Sequence, residues 1–546
     1  MAVLINLAID EKPSRRYVFS GSRMQNCSKL IFGCDKRSLA AFRIGAAILI
    51  MIDAFVRYGA AESFYSGAGF FDASFSKSMS PDGYSLNYLS DSVGFQRSVF
   101  VALAFFAVLL GVGCFTRIAT WGCWILLASI HIRNPMYVIG GDTILRMLLF
   151  WSLFVPLSSV WSVDQWRRGK NPRPSGQRQS SGKLICSVGT ACLLLQVCVM
   201  YWTAGLSKWN EAWLSGSAME YIFRQDCYTR PLSGWLLQYP SATSLLTYGT
   251  LVIELLVPLL VFMPFKAGQC RLALVAFFWS FHIGIDLTMD VGKFTYVSMV
   301  AWLPFLPSLF WDRFRWARID SVPASGGALA TADTEKTFHR CVRVFLTVVV
   351  PLVLFVYVLI WNVAGLYGGP GRTWQTSHPD RFYRFGNACM LKQNFLMFCV
   401  PARGNTTYLF SGRTKGGERV DLVRKQPASK TGPGASIPSA REWKTLHWYL
   451  ISFGGDPKLY AALLDYHSEV WNRNAEGDRK ITESRLERFF EDSGPGVSSG
   501  SFVHVRDLAE WRSEESEPVT NEQLKEDFNQ LMDQLESGGL FPLDSN

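Results

Sequence analysis

Nine apolar runs occupy the first two-thirds of this chain and restrict its fold more than any other feature. They are Leu39–Val56, Val99–Phe115, Ile118–Ile132, Thr143–Val160, Leu184–Thr203, Leu245–Met263, Leu272–Leu287, Phe294–Phe310 and Val342–Leu366. A backbone in lipid must satisfy its own polar groups, so an apolar run of about 20 residues reads as a membrane-spanning helix. Several runs are shorter. The expectation is therefore about nine spans, some of them tilted, partly buried or interfacial. Across 546 residues, 39 Phe, 19 Trp and 19 Tyr supply the aromatic belts that such a domain places at its interfaces. The first residues are mixed in character, and no secretory signal peptide is expected.

The net charge of +10 raises nucleic acid as a partner, but the basic residues cluster between apolar runs and form no single stripe, so membrane topology accounts for them and nucleic acid is not expected. The arm before Leu39 carries Lys12, Arg15, Arg16, Arg23, Lys29, Lys36 and Arg37, which keeps it cytoplasmic. Threading nine spans from there puts on the same side the loops that hold Arg117; Arg167, Arg168, Lys170, Arg173, Arg178 and Lys183; Lys266 and Arg271; and Arg313, Arg315, Arg318 and Arg340. Loops assigned outside, such as Gly59–Gln96, are poorer in Lys and Arg.

The fold class expected is mainly α: a polytopic helical membrane domain of about nine spans, then a mixed α/β extracytoplasmic domain. The divisions are 1–38, a basic cytoplasmic arm; 39–366, the membrane domain; 367–508, an extracytoplasmic domain with β-hairpins; and 509–546, an acidic tail. Lys392–Val423 alternates short apolar stretches with Gly, Asn and Pro, which reads as hairpins. Glu442–Tyr466 and Ile481–Phe490 have helical spacing. Pro172–Gly182 and Ser321–Thr334 read as linkers. Twelve cysteines form no CxxC pair, so no metal site is expected. Cys389 and Cys399 stand ten residues apart in the outside domain; a disulfide and two free thiols are both open there.

Ionisable residues inside apolar runs carry the chemistry. Asp53 and Arg57, and Asp142 and Arg146, are each four apart and read as structural ion pairs on one helix face. Glu254 and His282 read as unpaired and therefore functional. Lys208 lies just past Leu184–Thr203, at the outer end of the fifth span. An apolar setting favours the neutral amine, and a neutral lysine is a general base. A lysine near a helix end also snorkels into the headgroups without further role.

Four stretches resemble the vitamin K-dependent γ-glutamyl carboxylases and their bacterial relatives, which share the horizontally transferred transmembrane domain. They are FRIGAAILIMIDAFVRY (Phe42–Tyr58), AGLSKWNEAWLSGSAMEYI (Ala204–Ile222), FHIGIDLTMDVGKFTYVSM (Phe281–Met299) and LKQNFLMFCVP (Leu391–Pro401). Lys208 stands where the family has its catalytic lysine, and GGD-x-x-x-R (Gly140–Arg146) looks like the bacterial branch. Where the family carries Asn–His, this chain has Asn134–Pro135, with His131 one helical turn away. The resemblance implies a membrane enzyme of the carbon–carbon lyase type. Such an enzyme uses a reduced vitamin K or menaquinone-type hydroquinone with O2 to form a strong base, which deprotonates a protein glutamate that then adds CO2. It further implies Lys208 and His282 as catalytic residues and Trp213, Met219, Glu220, Asn134 and Tyr296 as substrate-binding ones. Its partners would be membrane lipid or quinone and a secreted or membrane protein, in a bacterial inner membrane.

The competing reading is a non-catalytic quinone- or lipid-binding or scaffolding protein of the same fold. A transporter fits less well, because no repeat is visible. A quinol-binding enzyme needs a lysine with no carboxylate partner, whereas a structural lysine has one, and Glu211 is the obvious candidate. The charge pattern makes one prediction: reporters fused after Arg178 and after Trp374 report opposite sides of the membrane. The same side for both would refute the nine-span topology.

Overall fold

Capping residues set the helix boundaries. A computed structural model describes residues 28–170, 182–318, 341–367, 380–393, 395–428, 446, 449–451, 457–492 and 503–513. Helix α1 (Lys36–Gly59) starts where the Asp35 carboxylate accepts the Arg37 amide at 2.8 Å. Helix α2 (Val93–Val112) is capped by Ser92 and stops at Gly113, whose φ of 70° is in the left-handed region that glycine tolerates. Next come α3 (Thr116–Arg133) and α4 (Gly140–Ser152), where the Asp142 carboxylate accepts the Ile139 amide at 3.0 Å. A reciprocal Ser187/Thr190 cap opens α5 (Val188–Ser207). Then follow α6 (Pro240–Leu255), α7 (Ala267–Thr288), α8 (Phe294–Ala301) and α9 (Val350–Tyr367).

Six described helical stretches are long and apolar enough to cross a membrane: Lys36–Gly59, Val93–Val112, Val188–Ser207, Pro240–Phe262, Ala267–Thr288 and Cys341–Leu366. These are six of the nine expected runs, so the count of nine is not confirmed. The other three runs form α3, which holds Arg117, His131 and Arg133; α4, only 13 residues long; and Phe294–Phe305, a shorter apolar helix. The physical reason is visible in α4. Every residue from Gly141 to Ser152 is buried, and it packs against α3, α5 and α8. A helix that is apolar on all sides because protein surrounds it has the composition of one that is apolar because lipid does. Burial also differs among these six helices. α5 is 83% buried and central, whereas Cys341–Leu366 is 22% buried and presents most of its surface outward. On α1 the outward face is Ile48, Met51, Ile52 and Phe55, a stripe suited to lipid.

Buried arginines close the ends of this helical unit. Arg43 donates to the Leu157, Trp161 and Gly111 carbonyls at 3.0, 2.6 and 3.3 Å, which satisfies backbone acceptors that have no helical partner. Arg37 pairs with Asp35 and Asp312, both at 2.8 Å, and so ties the start of α1 to the chain after Ser308.

The described residues divide into two compact units, the first reaching Thr406 and the second built around a sheet. The sheet holds β1 (Gly404–Thr414), β2 (Arg419–Asp421), β3 (Gln426–Pro427), β4 (Ile481–Asp492) and β5 (Val503–Arg512) in the order β3-β2-β1-β4-β5. The hairpin within Lys392–Val423 is β1–β2, antiparallel, with Gly412 opposite Val420. Ile481–Phe490 is a strand and not the helix its spacing indicated. Its buried residues Ile481, Ser484, Leu486, Glu487 and Phe489 fit a helical stripe about as well as an alternating one, and pairing beside β1 decides. One helix of this unit, α10 (Pro457–Asn474), packs on β5. Most of the acidic tail and of the two linkers lies outside the described residues, although 509–512 belong to β5. Cys389 and Cys399 are both free thiols.

Gly141 is required where α4 meets α8. A Cβ there would stand 3.0 Å from both the Phe294 Cα and its amide nitrogen. Gly141→Ala is expected to destabilise the protein by about 1–3 kcal/mol. Gly94→Ala, where a Cβ meets nothing within 4 Å, should be neutral or mildly stabilising. Thermal unfolding of both variants in detergent checks the pair.

Candidate functional site

Lys208 ends α5. Its backbone has left the helical conformation, and its side chain folds back to donate to the Ala204 carbonyl at 3.1 Å. The residue is only 3% exposed. Its ammonium meets the Glu254 carboxylate of α6 at 2.8 and 3.1 Å and lies 5.3 Å from the centre of the Trp213 ring. The pairing candidate named from sequence was Glu211. The observed partner is Glu254, which is therefore not the unpaired carrier its position implied. Helix packing explains this: α5 and α6 run against each other, and Gly205 lets the Glu254 and Leu255 side chains approach closely.

Trp213 and Met219, both expected from the motif, stand in one buried cluster with Ala218, Ile222, Phe223, Leu251, Met289 and Val291, lined further by Phe294, Met397 and Phe398. The segment Leu391–Pro401 closes over it. The Trp213 indole donates to the Phe398 carbonyl at 2.9 Å, and Asn210 donates to the Cys399 carbonyl at 2.6 Å. Phe398 and Met390 have φ of 55° and 49°, a conformation that costs a non-glycine residue on the order of 1–3 kcal/mol. The carbonyls of both are held by site side chains: Phe398 by Trp213, and Met390 by Arg146 Nε at 3.1 Å.

A second group is a buried charge network. Arg57 pairs with Asp53 at 2.8 Å and with Asp142 at 2.6 Å, and Lys293 bonds both carboxylates. Asp142 and Arg146, four apart, do not form the expected pair. Arg146 turns instead to the Met390 and Lys392 carbonyls and to His131 Nδ1 at 2.9 Å. A guanidinium only donates, so His131 Nδ1 accepts and its Nε2–H faces Asp142 at 3.2 Å. Lys392, beside this group, has its pKa pushed down to about 8 by burial and by the Arg146 charge.

A third group surrounds His282 on α7. Its Nε2 lies 2.6 Å from the Tyr201 hydroxyl, which accepts the Trp302 indole N–H at 2.9 Å. Sequence reasoning missed Tyr201 and Trp302. The available signal was spacing, since Tyr201 precedes Lys208 by seven residues, two turns along the same helix face.

The remaining candidates stand apart. Asn134 is fully buried, but it donates to the Phe64 carbonyl at 2.9 Å and accepts the Tyr137 amide at 3.2 Å, both local structural bonds. Glu220 pairs with Arg224 at 3.0 Å on a partly exposed face, and Tyr296 is 51% exposed. In the second unit, Glu487, His504 and Asp507 hold ligand atoms within 4.8 Å of one another, but Arg419 already neutralises Glu487.

A family profile described as the HTTM domain matches residues 33–311, slightly more than half of the chain. That range takes in Lys208, Glu254, His282 and the whole Asp53–Asp142–Lys293 network, and it ends before Leu391–Pro401. No curated protein and no solved structure matches the chain.

The network predicts its own mutational profile. Asp142→Asn leaves Arg57 and Lys293 sharing one carboxylate in a buried site, and should lower stability by about 3–5 kcal/mol. Arg224→Ala, which breaks a partly exposed pair with Glu220, should cost no more than about 1 kcal/mol. Unfolding of the two variants side by side gives the comparison.

Proposed function

Because the chain belongs to the HTTM domain family, we propose that it is an integral membrane carboxylase-like enzyme that takes a proton from a reduced quinone at Lys208. The observation that carries this reading is the setting of that amine: 3% exposed, at a helix end, beside the Trp213 indole, which is itself packed in a wall of Met and Phe side chains. An apolar flat ring with a phenolic proton suits such a wall. A menaquinone-type hydroquinone with O2 supplies the strong base that removal of a glutamate γ-proton and addition of CO2 require.

The chain's own residues have definite parts in this reading. The carboxylate partner expected only of a structural lysine is part of the step here. Glu254, 2.8 Å away, takes a proton from the Lys208 ammonium, and the freed amine receives the quinol proton, so the protonated pair carries one positive charge that balances the quinolate formed. Trp213, Met219, Met397 and Phe398 pack together and would keep water from the quinol ring. The bonds from Trp213 and Asn210 hold the covering segment in place. The protein substrate would be a secreted or membrane protein, reached from the outer face of a bacterial inner membrane, with the N-terminus cytoplasmic and the C-terminal region outside. That arrangement requires an odd number of crossings, and therefore one or all of the three shorter apolar runs as spans beside the six long ones.

The Lys208–Glu254 bond favours a second reading, in which the lysine is a structural partner and the fold binds a quinone or lipid, or scaffolds a partner, without catalysis.

Purified protein incubated with reduced menaquinone or vitamin K under oxygen separates the two. The enzyme reading expects quinone epoxide, abolished by Lys208→Ala and not restored by Lys208→Arg, whose guanidinium stays protonated. Glu254→Gln should lower turnover at least tenfold. Quinone binding with no epoxide from the unaltered protein would establish the second reading.

A further inference from the structure

The hydrogen-bond chain at His282 has a direction, and the direction leaves one buried donor with nothing to bond. Trp302 Nε1–H only donates, so the Tyr201 oxygen accepts it. The Tyr201 O–H then has one acceptor within reach, His282 Nε2 at 2.6 Å. With Nε2 accepting, the proton of the neutral imidazole sits on Nδ1. The opposite tautomer makes the same number of bonds, with Nε2–H donating to the Tyr201 oxygen, but leaves both the Tyr201 O–H and Nδ1 unsatisfied, so it is the poorer arrangement by one unpaired polar group. His282 is 1% exposed, and its Nδ1 has no partner among the described residues.

Two hydroxyls nearby share that condition. Thr295 and Ser298 on α8 are 1% and 0% exposed, and neither Oγ has a partner. Other helical hydroxyls of this unit, such as those of Thr247 and Thr250, bond the carbonyl four residues back, at 2.9 and 2.8 Å. With about 3.6 residues per turn, Phe294, Ser298, Thr295 and Trp302 share one face. Phe294 meets the His282 ring edge-on at 5.8 Å, and Trp302 bonds Tyr201, so the face is turned toward His282. Its other walls are aromatic: Phe278 stacks on Trp302 at 4.1 Å, and Phe281 lies 5.4 Å from the imidazole. Each buried polar atom left unpaired costs on the order of 1–3 kcal/mol, and such a cost recurs where a ligand supplies the missing bond.

We propose that His282 binds a quinone ring oxygen as a hydrogen-bond donor through Nδ1–H, and that Tyr201 and Trp302 are positioning residues that hold it in that tautomer. The ligand class follows from the walls and the donor. A neutral N–H between aromatic rings selects a flat apolar ring that carries an acceptor oxygen, and among the described residues no cation contacts His282 to favour an anion. This deepens the proposed function and rests on its quinone reading. It replaces the general role expected of His282 with a specific one, donor and not base.

The test uses the full chain in lipid nanodiscs with oxidised menaquinone carrying carbon-13 at its ring carbonyls, which binds without turnover. Infrared difference spectra should show a carbonyl stretch lowered on binding. His282→Phe should remove that lowering and weaken binding about three- to tenfold. Tyr201→Phe, which leaves His282 in place but frees its tautomer, should reduce the lowering, and it carries the test if His282→Phe does not fold. Lys208→Ala should leave the lowered band in place. Binding with an unshifted carbonyl, a shift that survives both His282→Phe and Tyr201→Phe, or a shift lost only in Lys208→Ala would overturn the proposal while leaving the quinone reading intact. No binding by the unaltered protein would overturn both.

Discussion

Two buried carboxylates organise the helical unit. Asp53 on α1 and Asp142 on α4 share Arg57 and Lys293, so three segments far apart in sequence meet at one point. Charges in an apolar interior are costly unless each is bonded, and these four satisfy one another. Arg146 adds a third cation that reaches backbone carbonyls and His131 in place of a carboxylate. The cluster thus carries three basic side chains against two acidic ones, with His131 set between Asp142 and Arg146. Removing either carboxylate removes the counter-charge of two cations at once. This interdependence makes the network a specification of helix register as well as a contribution to stability.

The adjacent residues Lys293 and Phe294 join this network to the other two groups. Lys293 bonds both carboxylates, while Phe294 lines the cluster under Lys208 and faces the His282 ring. Gly140 and Gly141 allow α4 to come close enough for that junction to form. The charge network, the cluster around Trp213 and the His282 group therefore all have contacts at the start of α8.

The Lys208–Glu254 pair changes what the lysine can do. An isolated buried amine would be neutral because its charge is unsupported, whereas a paired one has its charge supported and gives up a proton only as part of the pair. In the proposed reaction such a pair would have to move a proton within itself before accepting another, which would make Glu254 as consequential as the lysine. Met397 and Phe398 of the covering segment pack against the cluster that contains Trp213.

The sequence by itself determined the mainly helical, membrane-type class of fold and the order of its long apolar helices, because apolar length is a local property. Asp53–Arg57 was legible since four residues make one helical turn. The same rule failed at Asp142 and Arg146: side chains four apart can meet, but Arg57 and Lys293 offered Asp142 stronger company across the interior. It also failed to tell lipid from protein as the surroundings of α4, since both select the same residues. The partner of Lys208, the direction of the Tyr201–His282 bond and the strand at Ile481–Asp492 were likewise decided only in three dimensions. Each depends on which neighbour a side chain or backbone finds after packing. A one-dimensional pattern records what a residue can bond but not which bond the assembled interior leaves it.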